Sequence, residues 1–372
     1  MTRGFPTLDP AQRAARLTPP TGPVDVVIDT DATNEIDDEF AVVWALLHSE
    51  RLRLRGLLAS PYGYSTELLS SGLALADLDA RRLARRLAAA GIDVTRIPAF
   101  DPSDGMRRAH AELVRILALA RDCGVPCDAR AHLGADRYLP GPETPVDSAG
   151  ARFLIETAHA LGDRPLYVVA IGCATNVASA LLLDPSLVER IVVVWTAAYP
   201  SFWPGVNASY NLAQDIPAAR VLLESGVPLV YLPGYYVGEE LRVSRAEIAA
   251  HVAGRGPFGE YLHSLYERHP RGGHALGQSK VLWDLINIAW LLDARWFTVH
   301  SVPTPSLDEE VRWVSHGLGR HQMVEAIDVD RDEIFADFYR CLEEHADRTR
   351  DESPLADDAI EDPEISPVGL ED

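Results

Sequence analysis

Positive charge is what this chain has least of. Its 372 residues carry 34 Lys and Arg against 55 Asp and Glu, a formal net charge of -21 at pH 7. So acidic a chain repels phosphate backbones, and no nucleic-acid partner is expected. Lysine is nearly absent, with Lys280 the only one. Cysteine is sparse: Cys123, Cys127, Cys173 and Cys341 are the four. The first two form a C-x3-C pair across a Gly-Val-Pro turn, which a helix end leading into a strand explains better than a metal or redox motif. Such sparse usage suits a reducing cytoplasm, where the protein is expected. No uninterrupted apolar run reaches membrane-spanning length, so no membrane partner is expected. The richest stretch, 166–183, is broken by Gly172 and Asn176. Residues 1–20 lack the apolar centre of a signal peptide, and none is expected.

What is there alternates. Apolar runs at 24–28, 52–59, 126–133, 166–171, 190–196 and 228–232 read as strands. Between them 37–48, 66–90, 106–122, 148–161, 176 onward and 216–225 read as helices. Residues 101–105 and 197–209 read as loops, and 244–269 as a peripheral helical region. A helix over 280–293, short strands over 296–302 and 323–329, and a helix over 332–344 complete the pattern. The strands are continuously apolar, which predicts an α/β fold with a mainly parallel, Rossmann-like sheet covered by helices on both faces. The expected organisation is a flexible arm over 1–22, one α/β domain over 23–345 and an acidic, disordered tail over 346–372.

One stretch resists explanation by folding alone. Residues 24–41, VDVVIDTDATNEIDDEFA, run from an apolar strand straight into acid. Asp29, Asp31, Asp37 and Asp38 fall within ten positions, with Glu35 and Glu39 beside them. Buried like charges need a counter-charge, and no Lys or Arg lies between Asp25 and Glu50. The simplest missing partner is a metal ion. An N-cap with solvated acids is the plainer reading, but capping uses one acid, not four.

DTDATNEIDD followed by an apolar helix resembles the D-x-D-P-G-x-D-D signature of the nucleoside hydrolase family, with two residues inserted. Three later segments resemble that family in the same order. AIGCATNVASALLLDPSLVERIVVV (170–194) is similar to its glycine-x-x-Thr-Asn segment. NASYNLAQDIPAARVLLESGVPLVYLP (207–233) is similar to its Phe-Asn-x-x-x-Asp-x-x-Ala-Ala segment. KVLWDLINIAWLLD (280–293) is similar to its last metal-ligand helix.

The resemblance implies a Ca2+ ion at the bottom of a ribose cleft and hydrolysis of a nucleoside N-glycosidic bond. It implies Asp31, Asp38, Asp284 and the Ile171 carbonyl as ligands, with Asp31 also taking the proton of the attacking water. Asp37 would hold the ribose 2′-hydroxyl, Asn211 the 3′-hydroxyl, and Asp29 would support the site. Trp283, just before Asp284, resembles the base-stacking tryptophan of the purine-preferring branch. Trp203, with Phe202 and Tyr199, offers a second aromatic face, although core packing explains these rings equally well. The partner implied is a small nucleoside-like molecule, and the family often forms dimers or tetramers.

Two departures bear on the substrate. Residues 60–64 are Ser-Pro-Tyr-Gly-Tyr, where the family usually has a ribose-holding asparagine. Ser209 stands where it often has glutamate, with Asn207 as a candidate substitute. Two other readings are kept. A non-catalytic ribosyl binder would retain the cleft without turnover. Asp29-Thr30-Asp31-Ala32-Thr33 also fits the first motif of haloacid-dehalogenase-like phosphatases, with Asp29 as nucleophile. That reading needs a lysine and a paired acid later in the chain, and Asp284 has no paired acid. The histidines are scattered; His274, in a glycine-rich loop, is a candidate lid residue.

Overall fold

The computed structural model describes residues 4–63, 100–269, 277–315 and 319–352. The expected helix at 66–90 and the loop carrying His274 lie outside these residues. The strands are β1 (Val24–Thr30), β2 (Leu52–Ala59), β3 (Arg130–Leu133), β4 (Leu166–Ala170), β5 (Ile191–Ala197), β6 (Leu229–Pro233), β7 (Arg242–Ser244), β8 (Ser279–Val281), β9 (Phe297–Pro303), β10 (Ser306–Leu307), β11 (Trp313–Val314) and β12 (Gln322–Val329). Eight of them form the main sheet in the order β3-β2-β1-β4-β5-β6-β12-β9. All neighbours there are parallel except β12 and β9.

The helices are α1 (Pro10–Leu17), α2 (Asp37–Leu47), α3 (Pro102–Asp122), α4 (Ala149–Ala160), α5 (Thr175–Leu183), α6 (Tyr210–Gln214), α7 (Ile216–Glu224), α8 (Arg245–His251), α9 (Gly256–Arg268), α10 (Leu285–Leu292) and α11 (Arg331–Glu352). Alternation along the buried strands feeds two cores, one on each face of the sheet. Val26 and Ile28 pack with Phe40 and Trp44 of α2, Ile288 of α10 and Phe338 of α11. Val27, Val168 and Val193 pack with Leu154 of α4, Leu181 of α5 and Leu222 of α7. Each such side chain contributes roughly 1.5–3 kcal/mol on burial. The expected α/β architecture is therefore what the chain forms.

Several boundaries differ, each for a local reason. The arm expected to be flexible holds α1. Asp9 caps it by accepting from Ala11 N and Gln12 N, and Pro10 opens its first turn. Arg13 and Leu17 are buried, and Arg13 Nη2 donates to Gly226 O at 2.6 Å. The loop expected at 101–105 is instead the start of α3, capped by Asp101 with Pro102 behind it. Gly105 belongs there because any Cβ would strike the Tyr62 carbonyl. The region 244–269 splits into α8, which has a Ser244–Glu247 capping box, and α9. The last helix runs to Glu352, so the first residues of the expected tail are helical; Ala346 is fully buried. Residues 353–372 lie outside the described residues.

Candidate active site

β1 and β4 are neighbours from which the chain winds away in opposite directions, to β2 and β3 on one side and β5 and β6 on the other. Ligands of open parallel sheets bind at such a switch point, beyond the carboxyl ends of the strands. β1 ends in Asp29-Thr30 and leads to Asp31, while β4 leads to Ile171-Gly172. A Cβ on residue 172 would lie 2.8 Å from Ser60 Cβ and 3.1 Å from Asp31 N, so glycine lets these strand ends close together.

The acids of this crevice are buried. Asp29, Asp31, Asp37, Asp38 and Asp284 are between 0% and 4% exposed. Asp37 and Asp38 occupy the first turn of α2, where the helix dipole favours negative charge. The capping position is Ile36, which makes no side-chain bond to the helix. These acids are therefore neither caps nor solvated, and the plainer reading of the stretch does not hold. Asp284 arrives from far along the chain, at the start of α10. One oxygen each from Asp37, Asp38 and Asp284 lies within 4.8 Å of the others. Asp31 stands beside this triad rather than in it.

Four of these five acids have a holder. Asn176 Nδ2 donates to Asp29 Oδ1 at 2.8 Å, while Asn176 Oδ1 accepts from Ala135 N at 2.7 Å. Asn34 Nδ2 donates to Asp31 Oδ2 at 3.1 Å. Thr30 Oγ1 donates to Asp38 Oδ1. The Trp283 amide donates to Asp37 Oδ2 at 3.1 Å. Asp29 Oδ2 and Asp37 Oδ1 are buried with no hydrogen-bond partner among the described residues. Burial, opposed by the Asn176 bond, pushes the Asp29 carboxyl up to about 7. Burial and then the Asp37 charge push Asp31 up to about 8. Asp38 and Asp284 are raised well above the usual range, by burial first and by their acidic neighbours second.

This donor set suits a hard divalent cation. It is all oxygen and repelled by itself, and Asp37 Oδ1, with Lys280 Nζ 3.6 Å away, accepts no hydrogen bond among the described residues. The Ile171 carbonyl accepts from Asn211 Nδ2 at 2.7 Å and keeps a second lone pair. Asp31, Asp38, Ile171, Asp284, Asp37, Asn211 and Asp29 therefore all come to one crevice.

Two expected residues do not. Asn207 is fully buried, and both its backbone and side-chain amides donate to Val311 O, so it anchors a loop. Trp203 does not form a second face opposite Trp283. Its ring stacks on Tyr199 at 4.7 Å, Tyr199 stacks on Tyr235 at 4.3 Å, and Tyr235 meets Trp283 edge-on at 5.5 Å. The rings form one ladder because turn 234–238 inserts Tyr235 between them. The departures expected to alter sugar binding are turned inward as well. Ser60 Oγ donates to Cys173 O, and Ser209 Oγ accepts from Ala198 N.

The counter-charge missed in the sequence is Lys280. Its Nζ lies 2.5 Å from Glu35 Oε2 and 3.6 Å from Asp37 Oδ1, and the side chain is 4% exposed. The signal was its singularity: the chain's lone lysine opens an apolar segment four residues before Asp284. The phosphatase reading needs Asp29 as an accessible nucleophile, and Asp29 is instead 0% exposed with Oδ1 bonded to Asn176.

Residues 26–336 match the family model described as inosine-uridine preferring nucleoside hydrolase. Curated relatives include the non-specific ribonucleoside hydrolase RihC of Salmonella agona (strain SL483) and that of Salmonella newport (strain SL254). Each is 31% identical over 141 residues, 37% of this chain and 44% of the relative. The matched stretch thus spans less than half the length of these relatives. Among solved structures, the purine-preferring ribonucleoside hydrolase from Gardnerella vaginalis superposes with a TM-score of 0.61 at 18% identity, covering 87% of this chain and 99% of that one. The type III effector protein XopQ, complexed with adenosine diphosphate ribose, gives 0.57 at 18%, covering 91% and 99%. At such identity the structural likeness is one of fold. With the family model matching from β1 into α11, the chain belongs to the inosine-uridine preferring nucleoside hydrolase family.

Proposed function

We propose that this protein is a Ca2+-dependent N-glycosyl hydrolase that cleaves a purine-leaning ribonucleoside to free base and ribose. What supports the reading most is the buried oxygen triad of Asp37, Asp38 and Asp284 beside Asp31, at the switch point of the sheet. Asp31, Asp38, Asp284 and the Ile171 carbonyl would hold the cation. Calcium, when bound, would orient the sugar diol and acidify water beside it.

The chain's own residues do the rest. Asp31, pinned through one oxygen by Asn34, takes the proton of the attacking water. Asp37 holds the 2′-hydroxyl and Asn211 the 3′-hydroxyl. Positive charge that develops on the sugar as the base leaves is stabilised by the surrounding carboxylates. Trp283, half-buried against the 234–238 turn, offers its indole face to a flat base. Four free cysteines fit a reducing cytoplasm.

The test is a panel of nucleosides with detection of free base and reducing sugar, with and without chelator. Release of base that stops on chelation and returns with Ca2+ is expected. Trp283→Ala should lower kcat/KM about tenfold for purine nucleosides and less for pyrimidine ones; equal losses would remove the stacking role. A second reading, a ribosyl-binding relative with another substrate or no turnover, is favoured by Ser60 and Ser209 facing the backbone rather than presenting sugar-binding groups. Ribose binding without base release would select it.

A further inference from the structure

The two residues inserted between Asp31 and Asp37 belong to a loop, 32–36, that is fastened at every step. Thr33 sits at φ 76°, a left-handed conformation that costs a β-branched residue free energy and persists only where its surroundings impose it. Its amide donates to Glu39 Oε1 at 3.0 Å, and its hydroxyl meets Tyr62 OH at 2.6 Å. Glu39 is itself buried. The strain delivers two side chains into the crevice. Asn34 reaches back to Asp31, and Glu35 reaches out to Lys280.

Lys280 is buried among acids: its charge reaches Asp38 and Asp284 as well, but its short contacts are elsewhere. Its Nζ donates to Glu35 Oε2 and to Val281 O, both at 2.5–2.6 Å, and only then faces Asp37 Oδ1 at 3.6 Å. Asp37 Oδ2 is meanwhile held by the Trp283 amide. Asp37 is geometrically close enough to Asp38 and Asp284 to join them around a cation. A positive charge on its near side opposes that.

We infer that the 32–36 loop and Lys280 sort the acids of this site: Asn34 orients Asp31, and Lys280, drawn in by Glu35, holds Asp37 out of the cation's coordination and leaves it for substrate. The inference rests on the functional reading above for the role of Asp37. Lys280 and Glu35 are positioning residues, since neither touches the reacting atoms. A unit charge a few ångströms from a divalent ion, at the effective dielectric of a protein site, alters affinity by tenfold or more.

The test is calorimetric Ca2+ titration of the full chain, carried out on three variants. Lys280→Met should bind Ca2+ at least tenfold more tightly, because a repelling charge is gone and Asp37 is released to the ion. Its KM for the cleaved nucleoside should rise about tenfold. Glu35→Gln should bind Ca2+ several-fold more weakly, because the ammonium then acts unopposed. Lys280→Arg should stay within about threefold of wild type. A merely structural role would weaken Ca2+ binding in all three. Unchanged or weaker binding in Lys280→Met overturns the inference. If Lys280→Met does not fold, unchanged or tighter binding in Glu35→Gln overturns it. Should wild type release no base from any nucleoside, the functional reading fails, and the Ca2+ affinities still decide the sorting of the acids.

Discussion

The two ends of β1 each bury aspartate, and they settle it in opposite ways. At the amino end Asp25 is 2% exposed and ringed by three guanidiniums. Arg53 Nη2 lies at 3.0 Å and Arg164 Nη1 at 2.8 Å, and Arg55 Nε donates at 2.6 Å. Burial alone would raise its pKa, but the bonds from Arg53 and Arg55 outweigh burial and hold it below the usual carboxylate range. At the carboxyl end Asp29 and Asp31 are equally buried, but no guanidinium is bonded to either among the described residues. Their carboxyls are raised instead. A buried acid with its cations built in is a finished structural contact. A buried acid left among other acids is open to a cation from outside.

The contrast predicts opposite consequences of removing charge. Asp284→Asn or Asp38→Asn should cost the largest effect, at least a thousandfold in turnover with Ca2+ binding lost in parallel, about 4 kcal/mol. The metal-free variant should nevertheless melt no lower than wild type, because a repelled buried charge has gone. Base release, calorimetry and thermal melting of the same samples check this; retained turnover in either variant would remove the metal-site assignment. Asp25→Asn should do the reverse. It leaves three guanidiniums without their acid and should cost about 2 kcal/mol of stability, less than a fully buried pair because the arginines keep contact with water. Its kcat should be unchanged, and urea denaturation beside steady-state rates reads both.

The smallest effect expected is in pH dependence, and its sign differs between the two ends. Asp25 has a depressed folded pKa, so its contribution is present above the unfolded value near 4 and lost as pH falls through the folded value. The gap between wild type and Asp25→Asn should therefore close below about pH 4. Asp29 and Asp31, raised to about 7 and about 8, bind protons more readily folded than unfolded. Metal-free protein should thus lose stability as pH rises from about 4 through 8. Ca2+ should reverse that slope, since it takes the place of the protons. Melting temperatures from pH 5 to 8.5, with chelator and with Ca2+, test both signs. A metal-free protein that grows more stable toward pH 8 would contradict the reading.

Much of this was legible from residue order. A continuous apolar strand that runs into clustered aspartates has few structural explanations, because isolated buried charge is costly. Asp29, Asp31, Asp37 and Asp38 could be singled out on that ground, and Asp284 and Ile171 by resemblance. The arm containing α1 was misread although Asp9-Pro10 is a strong helix start, because so short a helix is stable only once Arg13 and Leu17 find Gly226 and the core. Asn207 and Trp203 were misplaced for a related reason. Loop residues report what they are near in sequence, while Val311, which holds Asn207, and Tyr235, which separates the Trp203–Tyr199 stack from Trp283, are set by packing.

The sequence by itself determined the parallel sheet, its buried strands and the acid that ends the first of them, because apolar periodicity and local charge are properties of neighbours along the chain. Only the tertiary structure decided which acid stands where. Asp37, rather than Asp31, closes the tightest triad with Asp38 and Asp284. The chain's single lysine, 245 residues beyond Glu35, is brought to it and to Asp37. Coulomb interactions depend on distance through space, and that distance does not exist until β1, α2 and α10 have packed.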